Sequence, residues 1–449
     1  TSMANFPAIL AAALQAQKRL LLFGDFRQLP PIRLADTPKA RLWLGRDAFE
    51  VSGVKADLEK GTEKSCVTML EVQYRMAQPI ADAVSRLAYG NRLRTEVQSL
   101  DEHPISSDIW SEKPLVLVDT SALKPACFKE PREGSYSRLN PVHCFLAHIV
   151  ADKLMSNGCS SLGMITPYRA QARLLAAMAG GLHAGQRASM SAATVHKFQG
   201  SERDAIIFDL VDAPNQTRAT RLTGDKESSL RLLNVGLSRA KNKLIVLADL
   251  DFIKAYHRPS SPARKAIKIL DECGYVVQAI QGDFVCDDKA KDIRCVKGWE
   301  AAQEILGDDL SLSRANVLIN LPDGFLPSPK VVDTIKMLSD GTRGLRIYAP
   351  PDTAIRLEDS QADIRLKYLP VGFFAVIDRR TIYLSGYSPD AFFYRYENAR
   401  VAALLEQFFL GPDIAVPVPN AEMESTLSQL CGRCPDCGEN RRPHYVSPG

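Results

Sequence analysis

Between Arg19 and Asp251 short apolar runs alternate with stretches whose apolar residues recur at helical spacing. The runs are Leu20–Phe23, Val67–Leu70, Leu115–Val118, Leu162–Ile165, Ala205–Leu210 and Lys243–Ala248. Between them lie amphipathic segments such as PIADAVSRLAYG, PVHCFLAHIVADKL and YRAQARLLAAM. Strands that are apolar throughout, joined by such helices, predict a parallel sheet covered on both faces, the doubly wound α/β type. Sheets of that type bind ligands beyond the carboxyl ends of their strands, so the loops there are expected to carry the chemistry.

Proline and serine cluster in HRPSSPAR, His257–Arg264, which predicts a boundary. Beyond it a second α/β segment is expected, with strands at Val317–Leu321, Leu345–Ala349, Phe373–Asp378 and Thr381–Gly386, then the long helix RYENARVAALLEQFFLG. The expected division is 1–258, a connecting segment 259–295, a smaller domain 296–411 and a polar, cysteine-bearing tail 412–449. A chain of 449 residues, 45% hydrophobic and 24% charged, suits a soluble protein with two or three sizeable cores. No apolar stretch approaches the roughly 20 residues of a membrane span. Ten scattered cysteines argue for a reducing compartment, so a cytoplasmic location is expected. A net charge of +4 neither requires nor excludes nucleic acid.

The loops supply a recurrent set of residues. GDFRQLPP presents Gln28, whose amide can touch both a phosphate oxygen and a water. EVQYRM places Tyr74 beside Arg75, TVHKFQGSERD sets Gly200 and Glu202 ahead of a buried strand, and LNVGLSRAKNKLIV puts Arg239 and Lys241 at a helix end. Two arginines, a glutamine and a glutamate on neighbouring loops suit the sensing of a terminal phosphate, since the guanidinium fork pairs with phosphate oxygens and stays charged. Each residue alone is unremarkable, because most exposed arginines are simply solvated.

In this order and spacing GDFRQLPP, VQYRM, MITPYRAQ, VHKFQGSERDAIIFDLV and LNVGLSRAKNKLIV resemble the motifs of superfamily 1 helicases of the nonsense-mediated-decay and senataxin type, over residues 20–249. The resemblance implies a second RecA-like domain of the P-loop NTPase class, with the last motif of the first such domain at its start. It implies that Gln28 contacts the γ-phosphate and that Arg75 and Arg239 are arginine fingers. Tyr74 would lie near adenine, and Gly200 and Glu202 by the ribose and γ-phosphate. Thr166, Pro167, Tyr168, Thr194 and His196 would follow a single strand of DNA or RNA, held by hydroxyls and amides without base readout. The implied cofactor is ATP with magnesium.

The chain contains no Gly-x-x-x-x-Gly-Lys-Ser/Thr loop, and no Asp-Glu pair precedes TSMA. The expectation is that this chain holds the arginine-finger half of an ATP site, that the other half comes from a first RecA-like domain of the same or a partner chain, and that it does not hydrolyse ATP alone.

The segment from Ser313 to Pro389 resembles the phospholipase D-like fold. Active members carry His-x-Lys-x(4)-Asp, and aligning the aspartate on Asp378 puts Val371 and Phe373 where histidine and lysine are required. A degenerate, non-nucleolytic member is therefore expected, with Asp378 and Ser385 as turn residues. In the tail, Cys431, Cys434 and Cys437 have knuckle spacing with His444 seven residues on. Three alternatives stand: a compact zinc site, a half-site completed elsewhere, or reduced thiols. Cys144, Cys159 and His148 are read as core residues. The leading function is a portion of an ATP-dependent nucleic-acid helicase or translocase; the rival is a non-catalytic nucleic-acid-binding or assembly module.

Overall fold

The computed structural model describes residues 4–62, 66–96, 110, 112–130, 135–180, 189–214, 222, 226–280, 284, 287–288, 293–339, 344–355, 357, 362–365 and 372–410. Its first sheet has six strands: β1 (Leu115–Asp119), β2 (Leu162–Thr166), β3 (Met190–Thr194), β4 (Arg203–Asp209), β5 (Ala240–Ala248) and β6 (Tyr275–Gln278). They lie in the order β6-β1-β5-β4-β2-β3, and every neighbouring pair is parallel.

Side chains alternate across this sheet, as the pleat requires. Leu115, Leu117, Ile206, Phe208, Leu244 and Val246 face one core with helices α1 (Gln78–Ala88), α4 (Lys226–Leu237) and α5 (Pro262–Cys273). Val116, Val118, Ala205, Ile207, Ile245 and Leu247 face another, with α2 (Pro141–Ser156) and α3 (Arg169–Ala179). Burial on both faces is why these strands read as unbroken apolar runs. Cys144, Cys159 and His148 are buried in this unit.

Two expectations need correction. Leu20–Phe23 and Val67–Leu70 form no ladder, and Leu21, Phe23 and Leu70 stand exposed; a strand exists only where a neighbour pairs its backbone. The connecting segment is also shorter than 259–295. Ser261 caps α5 by accepting from the Arg264 amide at 3.3 Å, with Pro262 as first helical residue, and β6 then closes the first sheet beside β1. The Ser-Pro cluster is a helix start, in which serine satisfies an orphan amide and proline gives up none. The first unit therefore extends to residue 278.

The second sheet is mixed and has eight strands: β7 (Asp287–Asp288), β8 (Ile293–Lys297), β9 (Asn316–Asn320), β10 (Gly344–Tyr348), β11 (Asp363–Arg365), β12 (Phe374–Ile377), β13 (Thr381–Leu384) and β14 (Phe392–Glu397). Their order is β7-β8-β14-β13-β12-β9-β10-β11. One face packs under α6 (Trp299–Ser311) and α7 (Pro329–Ser339). The other contributes Phe374, Val376, Ile382, Tyr394 and Tyr396 to the same core as α2 and the final helix α8 (Ala399–Leu410). The two sheets thus share one apolar interior. Phe409 stacks on Phe374 at 4.0 Å and lies 5.2 Å from Phe128 of the first unit, while Phe145 of α2 meets Tyr394 and Tyr396. No helix among the described residues is long and apolar enough to cross a membrane.

Candidate functional site

Because all six strands of the first sheet run the same way, its two ends are chemically distinct. Glu202 immediately precedes β4 and Arg239 immediately precedes β5, so both sit at the amino edge. This corrects the expectation that the phosphate-sensing loops lie at the carboxyl ends. At that edge Arg75 donates from Nε to Glu202 Oε2 at 2.6 Å and from Nη1 to the Ser238 carbonyl at 3.4 Å. Lys241 pairs with the other Glu202 oxygen at 3.0 Å. Arg239 donates to Gln28 Oε1 at 3.1 Å, to the Val235 carbonyl at 3.2 Å and to the Ser201 carbonyl at 3.4 Å. Four of the sequence-selected residues, Gln28, Arg75, Glu202 and Arg239, therefore converge.

The loop bearing Gln28 is held by residues that sequence reasoning passed over. Asn234, fully buried on α4, donates to the Arg27 carbonyl and to the Tyr89 hydroxyl, both at 2.9 Å. Tyr89, at the end of α1, donates to Asp25 Oδ2 at 2.5 Å. Asn234 lay within a quoted motif, and an asparagine inside an amphipathic helix is the one signal that could have singled it out. Tyr89 is followed by Gly90 and Asn91, both at positive φ, a turn that ends the helix beneath the loop.

The electrostatics favour an anion. Three cations, Arg75, Arg239 and Lys241, face two carboxylates, Glu202 and Asp25. Hydrogen bonds from Lys241 and then Arg75 hold Glu202 below the usual carboxylate range, although burial opposes them. Burial, followed by repulsion from Arg75, lowers Arg239 to about 10, which leaves it charged at neutral pH. Burial and the Asp25 charge push the Tyr89 hydroxyl up, so it remains a donor. Arg239 is only 3% exposed, with Gln28, Val235 and Ser201 around its guanidinium. Tyr74 is exposed beside Arg75, and Gly200, at φ +87°, is exposed with open space where a side chain would stand.

The residues expected to follow a single strand lie at the opposite, carboxyl edge, and they do not form one surface. Thr166, Pro167 and Tyr168 are buried. The Tyr168 ring packs with Cys127, Val211 and Ala213, and its hydroxyl donates to Asp212 Oδ1 at 3.1 Å. Thr194 and His196 are half-buried, with the Thr194 hydroxyl capping the short helix Val195–Phe198. Beneath them is a closed polar network in which His143 bridges Asp209 and Thr120, each at 2.8 Å, and Gln171 donates to Asp209.

In the second sheet Asp378 is a turn residue. At φ +52° it accepts from the Ser313 hydroxyl and from the amides of Arg314, Ala315 and Asn316 at 2.8–3.2 Å. Phe373 is buried against Trp299, Phe325 and Phe393, and Val371 lies outside the described residues. Ser385, likewise buried, donates to the Phe392 carbonyl. Cys431, Cys434, Cys437 and His444 also lie outside the described residues; among those described, no group of three or more candidate ligands could hold a metal.

The parallel sheet with Gln28, Arg75, Glu202 and Arg239 gathered at one edge is an α/β domain, and residues 51–251 match the family model described as AAA domain. The DNA replication ATP-dependent helicase/nuclease JHS1 of Arabidopsis thaliana is 29% identical over 243 residues, 51% of this chain and 17% of that protein. An uncharacterized ATP-dependent helicase of Methanocaldococcus jannaschii is 27% identical over 264 residues, 56% of this chain and 35% of its own length. The DNA replication ATP-dependent helicase/nuclease DNA2 of Bos taurus is 25% identical over 292 residues, 59% and 25% respectively. The chain thus spans about a third or less of these relatives. All three of these relatives are named as ATP-dependent helicases.

Proposed function

We propose that this chain is a portion of an ATP-dependent helicase or translocase acting on single-stranded nucleic acid. It supplies the second RecA-like domain, followed by a phospholipase D-like domain without nuclease chemistry. The convergence of Gln28, Arg75, Glu202 and Arg239 carries this reading. The γ-phosphate of ATP, presented with magnesium by a first RecA-like domain, would draw Arg75 from Glu202 and engage Gln28 and Arg239, giving the charge neutralisation that phosphoryl transfer requires. The exposed apolar run Leu20–Phe23 supports a docking partner that offers this segment a strand neighbour. Phe373 in place of a lysine, and an Asp378 carboxylate wholly engaged by a turn, support the degenerate assignment.

The burial of Arg239, with Gln28 among its partners, favours a second reading, a non-catalytic nucleic-acid-binding or assembly module. The test is ATP turnover with single-stranded nucleic acid, measured on this chain preceded by a phosphate-loop domain. Strand-stimulated turnover that Arg239→Ala abolishes upholds the first reading. Strand binding with no turnover in either form upholds the second.

A further inference from the structure

At the carboxyl edge Tyr168 is buried, whereas Tyr136 faces solvent. Between β1 and α2, Phe128–Lys129 pairs antiparallel with Arg138–Leu139. The two strands have unlike faces. Phe128 and Leu139 are buried, and Phe128 meets Phe409 of the second unit. Lys129 is exposed, and Tyr136 is 76% exposed with the Lys129 ammonium 5.6 Å from its ring centroid. The pair is tied to the segment that follows Tyr168, since the Ala170 amide donates to the Ser137 hydroxyl at 2.7 Å. It also stands where Tyr168 would otherwise face outward, because Cys127, next to Phe128, packs on the Tyr168 ring.

Charge around Tyr136 is mostly positive. Lys124, Lys129, Arg169 and Arg173 are exposed and Arg138 is half-buried. The one described carboxylate against them, Glu130, is buried and takes up the Ser135 hydroxyl at 2.8 Å and Arg173 at 3.1 Å. The second unit braces this arrangement: Phe408 lies under the Arg173 guanidinium at 5.3 Å, and the Tyr387 amide donates to the Lys124 carbonyl at 2.9 Å.

We propose that the strand pair Phe128–Lys129/Arg138–Leu139 is a single-strand platform, with Tyr136 stacking on a base and Lys129 and Arg169 on the flanking phosphates, and that the second sheet serves to hold it in place. An exposed aromatic ring among cations offers a stacking face that any base can use, with phosphate attraction on either side. The platform rests on the helicase reading for its ligand, but Tyr136 and Lys129 lie outside the motifs that carry that reading.

The experiment is fluorescence anisotropy of a labelled oligothymidylate against this chain across a salt series. Tyr136→Ala is expected to weaken binding about tenfold, with Tyr136→Phe restoring it, since stacking needs the ring and not the hydroxyl. Lys129→Ala is expected to flatten the log–log salt slope by about 0.7, one phosphate contact. Wild-type binding that Tyr136→Ala and Lys129→Ala leave unchanged overturns the platform and leaves the helicase reading standing. Absence of binding by the wild-type chain even at low salt overturns the platform together with the strand-binding part of that reading.

Discussion

The guanidinium of Arg239 donates to the side-chain oxygen of Gln28 at 3.1 Å, joining residues 211 positions apart at the amino edge of one sheet. Both are expected from the sequence to be phosphate sensors, and Arg239 also donates to the Val235 and Ser201 carbonyls. In a chain carrying the phosphate-loop domain, Arg239→Ala is expected to lower steady-state ATP turnover at least about a thousandfold while strand affinity changes little. Arg239→Lys should not restore turnover, because an ammonium cannot reproduce the fork. Turnover within a few-fold of wild type in either variant would remove Arg239 from the chemistry.

Tyr89→Phe keeps the ring and deletes the hydroxyl that joins Asp25 to Asn234. Two hydrogen bonds are lost, one of them to a carboxylate, so a destabilisation of about 1–3 kcal/mol is expected in denaturant titration. The stronger expectation is local: amide exchange should accelerate across Asp25–Gln28 and not across β4 or β5. Uniform acceleration would mean that Tyr89 only supports the domain as a whole.

Phe409 is the hinge pin of the shared interior, 4.0 Å from Phe374 and 5.2 Å from Phe128. Phe409→Ala is expected to cost about 3–5 kcal/mol. Since α2 and α8 belong to one core with strands of both sheets, calorimetry should show the two sheets melting in a single transition that moves as a whole. A separately melting second sheet would contradict the packing.

Asp378 gives a pH dependence of known sign. Burial raises its pKa, but the amides of Arg314 and Ala315, the Ser313 hydroxyl and the Asn316 amide outweigh burial and hold it below the usual carboxylate value. A depressed folded-state pKa contributes stability above the unfolded-state value, about 4, and loses it as pH falls through the lower folded value. Asp378→Asn, which tolerates the positive φ, is expected to be less stable at neutral pH and to lack this part of the acid-induced loss. Urea midpoints of the two proteins, taken between neutral pH and pH 3, should converge; a constant difference would refute the assignment.

Much of the first unit was legible because burial on both faces leaves a simple mark. Leu115–Val118, Leu162–Ile165, Ala205–Leu210 and Lys243–Ala248 all fall on strands of one sheet. Leu20–Phe23 has the same composition and forms no strand, since composition records what a segment can bury and not whether a neighbour is there to pair it. Tyr275–Gln278 was missed for the converse reason: it is short and follows a Ser-Pro helix cap that reads as a linker. At the site, the residues with charged or amide chemistry were visible in the loops, and for Glu202 and Arg239 the edge was legible too, since both precede their strands in a parallel sheet. Gln28 and Arg75 belong to no strand of that sheet, so only the fold brings them to the same edge. Tyr168 shows the remaining limit. Its motif marks a loop, whereas its burial depends on Cys127, which is distant in sequence and contributes no pattern.

The nine residues of β5 begin beside Arg239 and end at the opposite edge, a distance of about 30 Å. Its neighbours on both sides are ladder-bonded along most of that length, and both faces are packed. Such a slab resists bending, so a displacement at the amino edge is expected to reach the far end by tilting the whole domain like a lever. The second sheet, sharing its interior, must swing with it as extra length on the same arm.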